Sequence, residues 1–206
     1  MILLSLDTTA AVATAAVFRD GALIAEWDAD AGKKHAETAL PMIEQLLEEN
    51  GLQISQVDYF AVDIGPGSFT GVRIGVSLVN ALAFATGKRI VPVDALCTLA
   101  ASAKEHERPV CALIDARNGN AYAALYQAGR EIVAPCAAEI SAFVSGLPEN
   151  TVYVGDTHAA TVSHPRAKEV GLIALQRLDG AQAEVEPIYL RASQAERLRQ
   201  NPSKEA

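Results

Sequence analysis

The chain has few cysteines and few aromatic residues. Its 206 residues include three cysteines, and Phe, Trp and Tyr together make up 5%. Cys97, Cys111 and Cys136 lie far apart, and one would stay unpaired in any disulfide, which is typical of reduced core residues in a cytosolic protein. Because half of the residues are hydrophobic, Ala, Val, Leu and Ile must fill a core large enough for one or two lobes.

Long hydrophobic runs and basic charge are also scarce. No apolar stretch reaches the roughly 20 residues that span a bilayer. The start of the chain has neither a basic region nor a small-residue cleavage site, so we expect no secretory signal and a cytoplasmic location. The formal net charge is −8, and basic residues form only short pairs such as Lys33-Lys34 and Lys88-Arg89. Because nucleic-acid binding depends on clustered Lys and Arg, we predict no strong direct binding of RNA.

The histidines and cysteines have no spacing that is typical of a metal site. No two histidines are four residues apart, as they would be on one helical turn, and no cysteine pair has zinc-finger spacing. His158 and His164 are six residues apart and are predicted to be surface residues. A triad of Ser68 with a histidine and an aspartate has no local support. We therefore predict no metal site and no chemistry by this chain alone.

The most distinctive stretch is residues 65–75, which read Gly-Pro-Gly-Ser-Phe-Thr-Gly-Val-Arg-Ile-Gly. An apolar run typical of a buried strand precedes it, and residues 73–86 continue as a helix that stops at Gly87. The stretch does not match a nucleophile elbow, a P-loop or a dinucleotide fingerprint. Exposed amides at the helix start, beside Arg73, are suited to hold an anion. A tight turn without a ligand explains the pattern equally well.

The order of the predicted elements repeats along the chain. A hairpin signal at Asp20-Gly21 joins the second and third predicted strands, and another at Asn118-Gly119 follows the strand predicted at Val110 to Asp115; alternating helices and strands come after each hairpin. Two related α/β lobes are therefore predicted. A charged run before Pro109 marks the boundary, which gives an N-terminal lobe of residues 1–104 and a smaller C-terminal lobe of residues 105–206. A final helix is predicted from Ser193 to about Gln200.

The helix after the glycine-rich stretch is apolar on two sides. One side consists of Ile74, Leu78, Ala81, Leu82 and Ala85. The second consists of Val72, Val76, Val79 and Ala83. A surface helix normally keeps one side polar, so the second side must be covered either by another layer of this chain or by a partner.

Residues 65–75 resemble the signature of the TsaB (YeaZ) family, a non-catalytic subunit of the bacterial tRNA threonylcarbamoyladenosine machinery. Three further stretches match in the expected order: Leu6-Asp7-Thr8-Thr9, Ile114-Asp115-Ala116-Arg117 and Pro187-Ile188-Tyr189-Leu190-Arg191. His35-Ala36-Glu37 with Leu40-Pro41 also resembles the first long helix of the family, so the resemblance covers nearly the whole chain. The resemblance implies an actin-like, sugar-kinase-like (ASKHA) α/β fold of two related lobes that has lost catalysis. It also implies a TsaD-type catalytic partner, a TsaE-type ATPase in the complex, a homodimer when alone, and ATP or ADP where subunits meet.

The same resemblance implies two groups of site residues. The partner-binding residues would be Thr38, Met42, Gln45, Val72, Arg73, Val76, Val79 and Ala83. The candidates for nucleotide or anion contact are Asp7, Thr8, Thr9, Gly67, Ser68, Thr70 and Asp115. With the second side of the helix assigned to a partner, Val76→Glu or Ala83→Glu is expected to block association and leave the monomer folded.

The residues themselves leave a rival function open. Asp7 is better explained as a turn-capping residue than as a metal or phosphate ligand, and Asp115 and Arg117 are better explained as a structural pair. In the alternative, the chain is a small-molecule kinase or ATPase of the same fold. It would use Asp7, Asp115 and the glycine-rich amides around a magnesium nucleotide.

Overall fold

The computed structural model describes residues 1–30, 34–105, 107–158 and 161–191. The first five-stranded sheet contains β1 (Ile2–Asp7), β2 (Val12–Arg19), β3 (Ala22–Asp30), β4 (Tyr59–Asp63) and β5 (Arg89–Val93). The second contains β6 (Val110–Asp115), β7 (Asn120–Gln127), β8 (Arg130–Glu139), β9 (Val152–Gly155) and β10 (Thr161–Val162). The helices are α1 (His35–Glu49), α2 (Phe69–Thr86), α3 (Ala95–Ala101), α4 (Ile140–Ser145) and α5 (Ala167–Leu175). The final helix predicted from Ser193 lies outside the described residues.

The two sheets have the same topology. The strand order is β3-β2-β1-β4-β5 in the first sheet and β8-β7-β6-β9-β10 in the second. In each, the first three strands along the chain pair antiparallel and the last two join in parallel. Asp20 and Gly21 have φ angles of 51° and 84°, which suit the tight hairpin predicted between β2 and β3. The prediction of two related α/β lobes with an actin-like, sugar-kinase-like architecture is confirmed.

Helices cover both faces of the first sheet. Buried residues of α1 and α2 pack with Leu4, Leu6 and Phe60 on one face. On the other face α5 packs against Leu3 and Phe18. This helix comes from the second half of the sequence, whereas α3, from the first half, packs on the second sheet. A boundary between residues 104 and 105 therefore separates the two sheets. It does not separate the helices in the same way, because α5 and α3 each cover the sheet of the other half of the sequence.

Two elements differ from the sequence predictions. Helix α2 begins at Phe69 because Ser68 caps it: the Ser68 Oγ accepts a hydrogen bond from the Gly71 amide at 3.2 Å. Strand β8 was not predicted, and it is an edge strand that contains Pro135.

Helix α2 is long and apolar enough to cross a membrane by length and composition alone. Its 18 residues have a mean hydropathy of 1.4. One side of α2, however, packs into the core of the first lobe with β1 and β4. This core packing accounts for the apolar composition of that side and leaves the opposite side to be explained.

Candidate functional site

A cleft of about 820 Å³ lies between the two lobes. Three segments line much of it: the turn after β1, the glycine-rich stretch and the end of β6. Because β1 and β6 are the equivalent central strands of the two sheets, the cleft lies at their carboxyl ends, where open α/β sheets commonly bind ligands. A cleft of this size is in the range of small-molecule and cofactor sites.

The structure brings most of the predicted nucleotide or anion contacts together in this cleft. Five of the seven candidates line it: Thr9, Gly67, Ser68, Thr70 and Asp115. Asp7 and Thr8 do not line it; they lie beneath its floor and are completely buried. Sequence reasoning missed two cations of the cleft wall, Arg117 and Arg191.

The glycines of the stretch allow α2 to approach the turn after β1. A Cβ on Gly71 would lie 2.0 Å from the Thr8 carbonyl oxygen, and one on Gly75 would lie 2.4 Å from Thr8 Oγ1. A Cβ on Gly67 would lie 2.7 Å from the Thr9 carbonyl oxygen. The Thr8 hydroxyl donates a hydrogen bond to the Gly71 carbonyl at 2.7 Å. Close packing therefore explains three glycines without a ligand.

Several amides that were candidates for holding an anion already have partners. The Ser68 amide donates to the Thr9 carbonyl at 2.8 Å, and the Gly71 amide donates to Ser68 Oγ. A ligand in the cleft therefore meets hydroxyl groups of the glycine-rich stretch and the guanidinium groups of Arg117 and Arg191.

Asp115 stabilises the turn at the end of β6. Its Oδ1 accepts a hydrogen bond from the Arg117 backbone amide at 2.8 Å. The Asp115 amide in turn donates to Asp156 Oδ1 at 2.7 Å. The predicted structural pair of Asp115 and Arg117 is thus a carboxylate-to-amide contact, which is typical of an aspartate turn.

Two buried carboxyl groups lie beneath the cleft floor. Asp7 and Asp63 end the neighbouring parallel strands β1 and β4, and both are completely buried. One oxygen of each holds a loop: Asp7 Oδ1 accepts from the Thr9 amide at 2.6 Å, and Asp63 Oδ1 accepts from the Gly65 amide at 2.8 Å. The turn-capping role predicted for Asp7 is confirmed.

The other oxygen of each carboxyl group, Oδ2, has no hydrogen-bond partner among the described residues. Burial raises the pKa of Asp7 to about 7. Burial, together with the charge of Asp7, raises the pKa of Asp63 well above its usual range. Two adjacent buried carboxyl groups disfavour simultaneous ionisation, so the pair retains a proton near neutral pH.

Asp7→Asn is expected to remove part of the pH dependence of stability. The unfolded carboxyl group loses its proton near pH 3.8 and the folded one near pH 7, so wild-type stability falls as pH rises through this window. Asparagine stays neutral and keeps an acceptor oxygen for the Thr9 amide. When the pH is raised from 4 to 8, the free energy of unfolding of Asp7→Asn relative to that of the wild type should increase by about 1–3 kcal/mol.

Urea unfolding at the two pH values measures this shift. Asp179→Asn is the matched control because Asp179 is exposed, and its effect should stay below about 0.5 kcal/mol at both pH values. A pH profile of Asp7→Asn that parallels the wild-type profile would contradict the account of the buried pair.

The structure corrects the predicted partner-binding surface. Five of its eight residues have at most 4% of their surface exposed and belong to the core of the first lobe: Met42, Val72, Val76, Val79 and Ala83. Their side chains are covered by the chain's own sheet, so the prediction that they contact a partner is wrong for the folded chain. Thr38 is half-buried, and Gln45 and Arg73 are exposed, so these three remain candidates.

The opposite side of α2 is the exposed one. We define the outer face of α2 by Arg73, Ser77, Ala81, Phe84 and Ala85, all of which are exposed. Phe84 has 89% of its surface exposed. The outer face thus includes Ala81 and Ala85, which belong to the first apolar side described from the sequence, and Phe84, an aromatic residue that the sequence analysis did not single out.

A second exposed aromatic group lies where α2 begins. The rings of Phe69 and Tyr189 have centroids 5.0 Å apart. The Arg73 guanidinium lies 4.7 Å from the Phe69 centroid, which is within the range of a cation–π contact. Phe69 and Tyr189 also line the cleft. The outer face of α2 and the cleft therefore meet at this aromatic pair.

Metal-ligand groups are scarce in the part of the chain that the structure describes. Within those residues, no group of three or more His, Cys, Asp or Glu side chains is placed to hold a metal ion. His35 is buried, and its Nε2 lies 2.8 Å from the Ala10 carbonyl oxygen. This contact explains the position of His35 without a ligand.

Comparisons with known proteins agree with this architecture. A family model described as "TsaD: tRNA N6-adenosine threonylcarbamoyltransferase" matches residues 29–151. The solved structure of YeaZ from Pseudomonas aeruginosa is 30% identical with a TM-score of 0.74, and the match covers 92% of this chain and 99% of that chain. The chain belongs to the TsaB/YeaZ family. The resemblance carried by residues 65–75 is therefore confirmed.

Relatives in sequence differ in how much of their length is matched. The TsaB/YeaZ-family chain is 35% identical to TsaB of Bacillus subtilis over 127 residues, which are 62% of this chain and 56% of the relative. It is 30% identical to the Mycobacterium tuberculosis protein Rv3421c over 202 residues, which are 95% of this chain and 94% of that protein. The chain thus spans little more than half of the curated TsaB relative and nearly all of the mycobacterial one.

Proposed function

We propose that this TsaB/YeaZ-family chain is a non-catalytic subunit of the cytoplasmic machinery for tRNA threonylcarbamoyladenosine, and that it binds and supports a TsaD-type catalytic subunit. The relatives from Bacillus subtilis and Escherichia coli are named "tRNA threonylcarbamoyladenosine biosynthesis protein TsaB". The observation that carries the proposal is the outer face of α2, which presents a nearly fully exposed Phe84 on a folded chain. The net charge of −8 leaves RNA binding to the other subunits.

The chemistry of the outer face suits a protein partner. Exposed aromatic residues commonly anchor protein interfaces, and small residues around them allow close approach of another helix. Ala81 and Ala85 flank Phe84, and Ile74 and Leu78 are only half-buried beside them. Alone, the chain would cover this face by forming a homodimer, which a TsaD-type partner would replace with a heterodimer.

The cleft is the place we propose for ATP or ADP in the complex, with a TsaE-type ATPase as a further component. Its volume is about 820 Å³, and Arg117 and Arg191 provide cations for phosphate groups. The hydroxyl groups of Ser68 and Thr70 add hydrogen-bonding capacity. The cleft meets the outer face of α2 at Phe69, so a partner on that face would also approach the nucleotide.

Phe84→Glu is expected to abolish both the homodimer and the complex with a TsaD-type subunit while leaving the monomer folded. The substitution puts a charge at the centre of an apolar contact, but Phe84 is 89% exposed in the monomer and contributes little to its core. Light scattering of the chain, alone and mixed with its cognate TsaD-type protein, measures the change. Affinity should fall at least about 100-fold.

Leu172→Glu is the matched control, because Leu172 is 41% exposed on α5 and lies away from the outer face of α2. This variant should associate like the wild type. Unchanged association of Phe84→Glu would reject the proposed surface. ATP turnover by the isolated wild-type chain would instead favour the kinase or ATPase alternative, with Asp115 as the cleft carboxylate to test.

A further inference from the structure

A second cavity, of about 240 Å³, lies away from the cleft between the two lobes. Helix α3 separates the two spaces: Leu99 lines the cleft, whereas Cys97 and Ala101 line the second cavity. Ile173 of α5 and Tyr126 of β7 complete much of its wall. Because α5 packs on the first sheet and α3 packs on the second, this cavity contacts helices of both lobes.

The cavity combines an apolar wall with two polar groups that have weak partners. Tyr126 is only 7% exposed, and its hydroxyl lies 3.5 Å from Asp94 Oδ1. That oxygen already accepts a hydrogen bond from the Cys97 amide at 2.9 Å. A contact of 3.5 Å is at the outer limit for a hydroxyl donor, so the Tyr126 hydroxyl retains capacity for a better acceptor.

Arg177 provides the positive charge of the cavity. Its Nη2 donates to the Cys97 thiol at 3.5 Å, and sulfur is a weak acceptor. In the described ranges, no carboxylate lies within ion-pairing distance of Arg177. Arg177 interacts electrostatically with Asp94 but forms no direct ion pair among the described residues, so its guanidinium group is suited to contact an anionic group on a small ligand beside the apolar cavity.

We propose that this cavity binds a small carboxylate with a short apolar or aromatic body. The carboxylate would contact the Arg177 guanidinium and the Tyr126 hydroxyl, and the body would pack against Ala101 and Ile173. Asp94 lies behind Tyr126, where burial raises its pKa and the positive charge of Arg177 lowers it. The inference is independent of the proposed subunit role, because the isolated chain contains every residue of the cavity.

Phenylacetate is a suitable probe, and phenethylamine is its control of opposite charge. Titrating each into the full chain, followed by protein-observed NMR, tests the site. Phenylacetate should give saturable shifts at Ala101 and Ile173 with a dissociation constant on the order of 1 mM or tighter. Arg177→Gln should weaken this binding at least about tenfold, whereas Arg19→Gln, an exposed arginine on β2, should not change it.

Ala101→Phe tests the volume of the cavity separately from its charge. Ala101 is exposed at one side, so the larger side chain can enter the cavity without disturbing the core, and it should abolish phenylacetate binding. Equal binding of phenethylamine, or full binding to Arg177→Gln, would overturn the assignment of a carboxylate. The absence of saturable binding to the wild-type chain, or shifts confined to the cleft, would overturn the site itself.

Discussion

Val76→Glu is expected to leave little or no folded protein. Val76 is 3% exposed and lies in the core of the first lobe with Leu6 and Phe60. A carboxylate there would be buried without a partner, which costs more than about 4 kcal/mol. Since small domains are stable by only about 5–15 kcal/mol, circular dichroism and thermal unfolding should show a largely unfolded or insoluble variant.

Ser77→Glu is the control for Val76→Glu. Ser77 follows Val76 on α2 but lies on the outer face, so the same new charge remains in water and the fold should persist. A folded Val76→Glu monomer with native thermal stability would show that the valine side of α2 is not part of the core. It would restore the expectation from the sequence that this side contacts a partner.

Gly71→Ala is expected to lower the free energy of unfolding by about 3 kcal/mol or more. The new methyl group would lie 2.0 Å from the Thr8 carbonyl oxygen, which is a rigid backbone atom. Either α2 or the turn after β1 must therefore shift. Such a shift also disturbs the hydrogen bond from the Thr8 hydroxyl to the Gly71 carbonyl. Chemical denaturation of the purified variant measures the loss.

Gly180→Ala provides the matched comparison. No heavy atom lies within 4 Å of a Cβ placed on Gly180, so this substitution should change stability by less than about 1 kcal/mol. If Gly71→Ala were as stable as Gly180→Ala, the glycine-rich stretch would not pack as closely as described. A ligand requirement would then be the better explanation of its glycines.

Hydrophobic periodicity predicted that α2 is a helix but not which of its sides is buried. Both sides are apolar, so composition could not distinguish the valine side from the side that contains Leu78. The decision comes from a tertiary contact, in which Gly71 and Gly75 let the helix approach Thr8. Gly71 and Gly75 are four residues apart and therefore lie on the same side of the helix, which was the one local signal that this side packs closely.

Other features were predictable to different degrees. The two hairpins and the capping role of Asp7 follow from local turn chemistry, and the structure contains all of them. The carboxyl pair was missed because Asp63 becomes a neighbour of Asp7 only when β1 and β4 pair in parallel. The cavity beside Arg177 requires segments from four separate parts of the chain, so no sequence pattern could indicate it.

Each sheet is covered by a helix from the other half of the chain, so neither lobe is complete without the other half. A fragment ending before β6 would lose α5 and expose the face of the first sheet that contains Leu3 and Phe18. The complementary fragment would lose α3 and uncover the second sheet. Neither half can bury all of its apolar surface without the other, so we expect the chain to fold as one cooperative unit in spite of its internal repeat.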